Sequence, residues 1–160
     1  MGAGKSTVGR AVAARLGWTY VDNDDLVREL AGLDAVALVA ARGVDELHRV
    51  EVAALDAVLA RPGPLVASAA GFAVAALAAA RRRRGRTIVA WLRARPETLR
   101  ARIGVGAGRR EDARSEAWLA ETARQREVTF TAVADLVVDV DDATVDEIVA
   151  LLVAEVRARS

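Results

Sequence analysis

MGAGKSTVGRAVAARLG, residues 1–17, joins a glycine-rich turn to a run of good helix formers, and how this stretch is read decides the fold. Gly4-Lys5-Ser6 supply the last three positions of the phosphate-binding pattern G-x-x-x-x-G-K-[ST], whose opening glycine would lie two residues before Met1. Val8, Val12 and Leu16 then recur at four-residue spacing, which predicts a helix over 6–16, and Gly17 stands where a C-cap glycine belongs. A turn that feeds directly into a helix is the context phosphate binding needs, because the first amides and the positive end of the dipole face the same point.

The basic residues sharpen that reading. Of 23 Lys and Arg, Lys5 is the only lysine. Alanine, valine and arginine dominate the chain, a drift that replaces lysine wherever the two cations are interchangeable. In a phosphate loop they are not, since a compact ammonium on a flexible stem reaches β and γ phosphates better than a planar guanidinium does. A randomly placed lysine would fall at this basic position about once in 23. The plainer alternative for Lys5 is an ordinary cation on the first turn of a helix.

Outward from the turn, strands and helices alternate. Residues 18–21 read as a short strand ending in Asp22-Asn23-Asp24-Asp25, whose side chains suit the cap of a helix beginning near Leu26. Helical patterns cover 34–42 and 44–60, and Arg61-Pro62-Gly63-Pro64 ends the second. A buried strand is expected at 65–68, a helix over 73–84, a strand over 87–92 and a helix from Pro96 to about Ile103. A glycine-rich loop over 104–108, a helix over 112–131, a strand at 136–139 and a closing helix over 144–157 complete the order. Strands separated by helices predict an α/β fold with a parallel sheet covered on both faces.

Composition bounds the setting. At 160 residues, 53% hydrophobic and 28% charged, the chain suits one domain, 1–160, with a substantial core. A net charge of +1 gives no argument for a nucleic-acid or membrane partner. The absence of cysteine excludes disulfides and thiolate metal sites, and a single histidine argues against zinc. The first residues carry no apolar signal region and no later stretch is long enough to span a bilayer, so a cytoplasmic protein is expected. Arg81–Arg84, at the end of a predicted helix, read as a solvated face complementing the helix dipole rather than as a phosphate patch.

The segment MGAGKSTVGRAVAARLGWTYVDNDDLV, together with RPETLRARI and RQREVTFTAVADLVVD, resembles the shikimate kinase family from Gly2 to about Leu152. The resemblance implies a P-loop kinase that passes the γ-phosphoryl of ATP to the 3-hydroxyl of shikimate with Mg2+, and a monomer is expected. By that likeness Gly2, Ala3, Gly4, Lys5, Ser6 and Thr7 hold the phosphates, and Ser6 and Asp22 serve the metal. Asp22, the first aspartate of a D-x-D motif, also orients or deprotonates the acceptor hydroxyl, while Asp24 binds substrate hydroxyls. Read without the phosphate loop, Asp22 and Asp24 are simple helix caps, and Asp25 keeps a capping role in either case. Arg126 matches an arginine that binds the substrate carboxylate, with a helix-surface cation as the alternative. Arg109, or its neighbour Arg110, falls where a lid over about 104–116 carries a catalytic arginine. Arg102 matches a residue that packs on adenine, and a surface cation is an equal alternative.

Departures from the family pattern fall on the acceptor side. LHRVE replaces FRRxE, so His48 stands for a carboxylate-binding arginine, with Arg49 beside it as a substitute. SAAGFAV keeps only Gly71 of three glycines, and Ala69 and Ala70 would be refused if the backbone there needed positive φ. The lid lacks a proline and is about two residues shorter. The family's P-loop follows the central strand of the sheet, so a missing first strand is expected, with the biological start upstream of Met1. Two further readings follow: a related kinase with a different small-molecule acceptor, such as gluconate or a nucleoside, or a nucleotide-binding module without turnover.

Overall fold

The computed structural model describes residues 2–77, 87–103 and 116–159. Helix α1 runs Lys5–Leu16 and leads to strand β1, Thr19–Asp22. Helices α2 (Asn23–Ala31), α3 (Ala35–Arg42) and α4 (Val44–Leu59) follow, then β2, Leu65–Ser68, and the short α5, Gly71–Ala76. The second half comprises β3 (Ala90–Arg93), α6 (Pro96–Ile103), α7 (Glu116–Thr131), β4 (Leu136–Asp139) and α8 (Val145–Arg159). The alternation expected from the sequence is therefore present, and Arg81–Arg84 and the loop over 104–108 lie outside the described residues.

The strands form two parallel pairs. β1 pairs β2 from Thr19↔Leu65 to Asp22↔Ser68, and β3 pairs β4 from Ala90↔Leu136 to Arg93↔Asp139. Among the described residues no strand joins β2 to β3. Between them lies a cavity of about 380 Å³, walled by Val8 and Val12 of α1, Val58 of α4, Val66 of β2 and Ile88 and Leu92 beside β3. The cavity separates the two strand pairs on the α1 side of the fold.

Three apolar clusters make up the core. Val8 and Val12 pack with Val138, Val140, Ile148, Val149, Leu152 and Val153, so α1 and α8 share a face that closes over β4. Val21 and Leu26 pack with Ala54 and Val58, which seats α2 and α4 against β1 and β2. Val27, Leu38 and Val50 extend this cluster to α3. Full burial of each valine or leucine contributes roughly 1.5–3 kcal/mol, so α1 is anchored by its apolar stripe and not by its polar first turn.

Two starts shift by three residues from expectation for local reasons. α2 starts at Asn23, three residues before Leu26, because the Asp22 side chain accepts from the Asp24 amide and is itself the cap. Asp25, expected to cap, instead pairs with Arg28 at 3.0 Å. β3 begins at Ala90 and not at residue 87, because its partner begins at Leu136; Val89 is held just ahead of the ladder by the Asp135 carboxylate and amide. α8 starts with a capping box, in which the Thr144 amide donates to Glu147 at 2.8 Å and the Glu147 amide donates back to the Thr144 hydroxyl at 3.3 Å.

Candidate active site

The C-terminal ends of β1 and β2 open beside the start of α1, and this is where the expected phosphate site lies. Gly2 and Gly4 take φ of 79° and 81°, a left-handed conformation that a side chain would strain. Gly4 is the N-cap of α1 and supplies no side-chain acceptor, so the first-turn amides have no cap of their own. An anion is the natural complement of such an end. Lys5 and Thr7 are exposed on that turn, and Ser6 is half-buried.

Asp22, at the end of β1, faces Ser6 across the turn. The Ser6 hydroxyl donates to Asp22 Oδ2 at 2.9 Å, the Tyr20 hydroxyl donates to the same oxygen at 2.8 Å, and the Asp24 amide donates to Oδ1 at 3.1 Å. Arg10 adds its charge at 3.9 Å. Burial pushes the Asp22 carboxyl upward, but the hydrogen bonds from Tyr20, Asp24 and Ser6, together with Arg10, outweigh it and hold the group below the ordinary carboxylate range. Asp22 is thus the cap of α2 and the partner of Ser6 at once, so the two readings of it are not exclusive. Tyr20, which the sequence reading left out, is pushed up by burial and by its bond to Asp22, although the Ser6 and Ser68 hydroxyls oppose this.

A hard cation fits this pair. A hydroxyl and a carboxylate oxygen at 2.9 Å are the oxygen donors Mg2+ prefers, and it takes few protein ligands when phosphates supply the rest. Among the described residues no group of three or more acidic, histidine or cysteine side chains would hold a metal without phosphate oxygens.

On the acceptor side, α4 brings Glu51 toward Asp24 and Lys5. Burial, then the negative charge of Asp24, push Glu51 up to about 7, with Lys5 opposing them. Glu51 was not among the expected site residues, although it closes the LHRVE segment that carried His48 and Arg49. The His48 ring lies flat on Phe72 of α5, with centroids 4.0 Å apart and planes 12° from parallel. Arg49 does not join it. Its guanidinium takes both oxygens of Glu46, one turn back on α4, at 2.8 and 2.7 Å and remains largely exposed.

The segment after β2 answers the question about lost glycines. Ala70 has φ −69° and ψ 137°, and no non-glycine among the described residues has positive φ, so Ala69 and Ala70 sit there without strain. Gly71 is required by space: a Cβ would come within 2.3 Å of Phe130 Cζ. A cavity of about 150 Å³ runs from Ala3 and Lys5 past Ala69 and Gly71 to Glu127 and Phe130.

The remaining expected residues are less gathered. Arg102 donates to the Val140 carbonyl at 2.8 Å, which sets it beside the turn between β4 and α8. Asp141 in that turn accepts from the Arg95 amide at 3.0 and 3.1 Å and so caps α6 from across the fold. Arg126 belongs to α7, but its side chain lies outside what the structure describes, as do Arg109, Arg110 and the rest of residues 104–115.

Comparisons with known proteins identify the family. The family model for shikimate kinase matches residues 1–157. A shikimate kinase of Moorella thermoacetica is 34% identical over 142 residues, 88% of this chain and 81% of the relative. One from Caldanaerobacter subterraneus subsp. tengcongensis is 30% identical over 152 residues, covering 92% and 86%. Among solved structures, a shikimate kinase from Acinetobacter baumannii in complex with shikimate superposes with a TM-score of 0.82 at 21% identity, covering 100% of this chain and 90% of that one, a likeness of fold.

Proposed function

The chain belongs to the shikimate kinase family, and from that premise we propose that it passes the γ-phosphoryl of ATP to the 3-hydroxyl of shikimate at the cleft between the α1 turn and α4. The observation that carries this reading is the meeting of Ser6 with Asp22 at the mouth of a helix whose cap is a left-handed glycine. Gly2, Ala3 and Gly4 and the amides that follow them bind the phosphates, and Lys5 places its ammonium against the β and γ oxygens. Ser6 and Asp22 would hold Mg2+, which when bound neutralises charge on the transferring group.

Asp22 is a poor proton acceptor, because both its oxygens already receive hydrogen bonds and its carboxyl is held low. Its role is to fix geometry, not to take the acceptor proton, and positioning with charge neutralisation supplies most of the rate in phosphoryl transfer. Asp24 and Glu51 line the acceptor side, with His48 and Arg126 as the groups toward the substrate carboxylate. Arg109 or Arg110 closes over the phosphoryl group, and Arg102 lies toward adenine.

A second reading has one observation in its favour. The His48–Phe72 stack gives the acceptor wall a flat aromatic edge where a charged fork would grip a carboxylate more firmly. A related small-molecule acceptor is therefore kept. A coupled ADP-release assay decides between them: release stimulated by shikimate and lost by at least 100-fold in Lys5→Met is expected. Stimulation by a sugar acid or nucleoside instead assigns the second reading, and ATP binding without turnover would sink both.

A further inference from the structure

We propose that Tyr20 is a positioning residue of the phosphate site: its hydroxyl fixes Asp22 Oδ2, and through it turns the Ser6 hydroxyl so that a serine lone pair faces the nucleotide. The proposal rests on the reading of this cleft as a phosphoryl-transfer site, and it goes further by giving a function to a strand residue with no place in the phosphate-binding pattern.

The argument starts from proton counting. A serine hydroxyl has one proton and two lone pairs. Here the hydroxyl donates to Asp22 at 2.9 Å and also lies against the Tyr20 hydroxyl, so the lone pair facing away from Tyr20 is left for a cation. That orientation holds only while Asp22 keeps its rotamer. Oδ1 is tied to the Asp24 amide at 3.1 Å, a bond to one oxygen about which the carboxylate can still turn. The Tyr20 hydroxyl at 2.8 Å pins the second oxygen, which also receives the Ser6 bond.

Tyr20 can serve as a pin because its own ring is fixed. The ring lies against Gly9 of α1 so closely that a Cβ there would meet Tyr20 Cε2 at 2.8 Å. Arg10 covers its face at 5.1 Å from the centroid. Helix α1 thus carries Ser6, clears space for the ring at Gly9 and covers it with Arg10, while β1 carries Tyr20 and Asp22. Groups that hold a metal ligand from behind typically change metal affinity or activity by about 10–100-fold when removed.

The test is Tyr20→Phe, which removes one oxygen and keeps the ring. ADP binding is measured by calorimetry with and without Mg2+, alongside kcat, the KM for ATP and thermal melting. The expected result is unchanged ADP affinity without Mg2+ and an unchanged melting point. The tightening of ADP binding by Mg2+ should fall about 10-fold, and kcat should fall with it. In an Asp22→Asn background the same substitution should have no further effect, because the group it positions is gone. A Tyr20→Phe protein with an intact Mg2+ response overturns the proposal. So does one that loses metal-free ADP binding and melting point together, which would mark a structural role. If the wild type shows no acceptor-stimulated turnover, the functional reading fails by itself, and the Mg2+-dependent ADP measurement still decides on Tyr20.

Discussion

At the mouth of α1, four polar groups from α1, β1 and α2 converge on the Asp22 carboxylate. Across the cleft, the wall made by α4 and α5 is mostly packing: His48 lies on Phe72, Gly71 touches Phe130, and two alanines follow β2. On the proposed function the first region would meet groups that every nucleotide shares, through backbone shape, a helix end and one saturated carboxylate. The second would have to suit one acceptor, through side-chain surfaces. Substitutions at the mouth should therefore appear in nucleotide chemistry with little change in stability, whereas substitutions on the wall should appear in stability first.

Gly71→Ala tests that division most strongly. The new Cβ would stand 2.3 Å from Phe130 Cζ and 3.0 Å from Cε1. The ring has little freedom to retreat, because Trp91 meets it edge-on with centroids 5.5 Å apart. Overpacking of this kind costs about 1–3 kcal/mol, and urea denaturation should show a loss in the upper half of that range. Phe130→Leu in the same chain should recover part of it. A Gly71→Ala protein of unchanged stability would break the comparison, since the wall would then be no more packed than the mouth.

Glu51 stands between the two regions, and its titration sharpens the contrast. Burial and Asp24 raise its folded pKa from an ordinary 4.5 to about 7, so the folded protein holds a proton that the unfolded chain has released. Stability is fully present below about pH 4.5 and is lost as pH climbs to about 7. Glu51→Gln removes the ionisation, and its stability should stay flat across that window. After discounting for partial solvation, the variant should exceed the wild type by about 1–2 kcal/mol at pH 8 and match it at pH 4.5. Equal pH slopes in the two proteins would show that Glu51 is not the group responsible.

The parts of this protein that sequence made legible are those governed by neighbours along the chain. Val8, Val12 and Leu16 announce α1, and the short apolar runs at 65–68 and 136–139 fall on β2 and β4. What stayed hidden depends on residues distant in sequence. Tyr20 looked like a strand aromatic, since its bond to Asp22 and its contact with Gly9 exist only once β1 lies along α1. Glu51 gave no signal in the sequence, because its burial comes from packing. The positive φ that would have refused Ala69 and Ala70 is absent from this backbone.

Arg49 provides the smallest effect and the finest test of where the acceptor wall begins. Sequence placed it next to His48 as a stand-in for a carboxylate-binding arginine, but adjacent helix residues point about 100° apart. Glu46 lies three residues back on the same helix and takes the guanidinium with both oxygens. The Glu46 carboxyl is held below its usual range by the hydrogen bond from Arg49, whose own side chain is 70% exposed. Exposed pairs of this geometry contribute only about 0.2–1 kcal/mol. Arg49→Ala should therefore lower stability by less than about 0.5 kcal/mol and leave the acceptor KM within about 2-fold, while His48→Ala should raise that KM by several-fold more. A large rise in KM for Arg49→Ala would mean that the guanidinium leaves Glu46 when the acceptor binds, and the boundary of the wall would move outward by one residue.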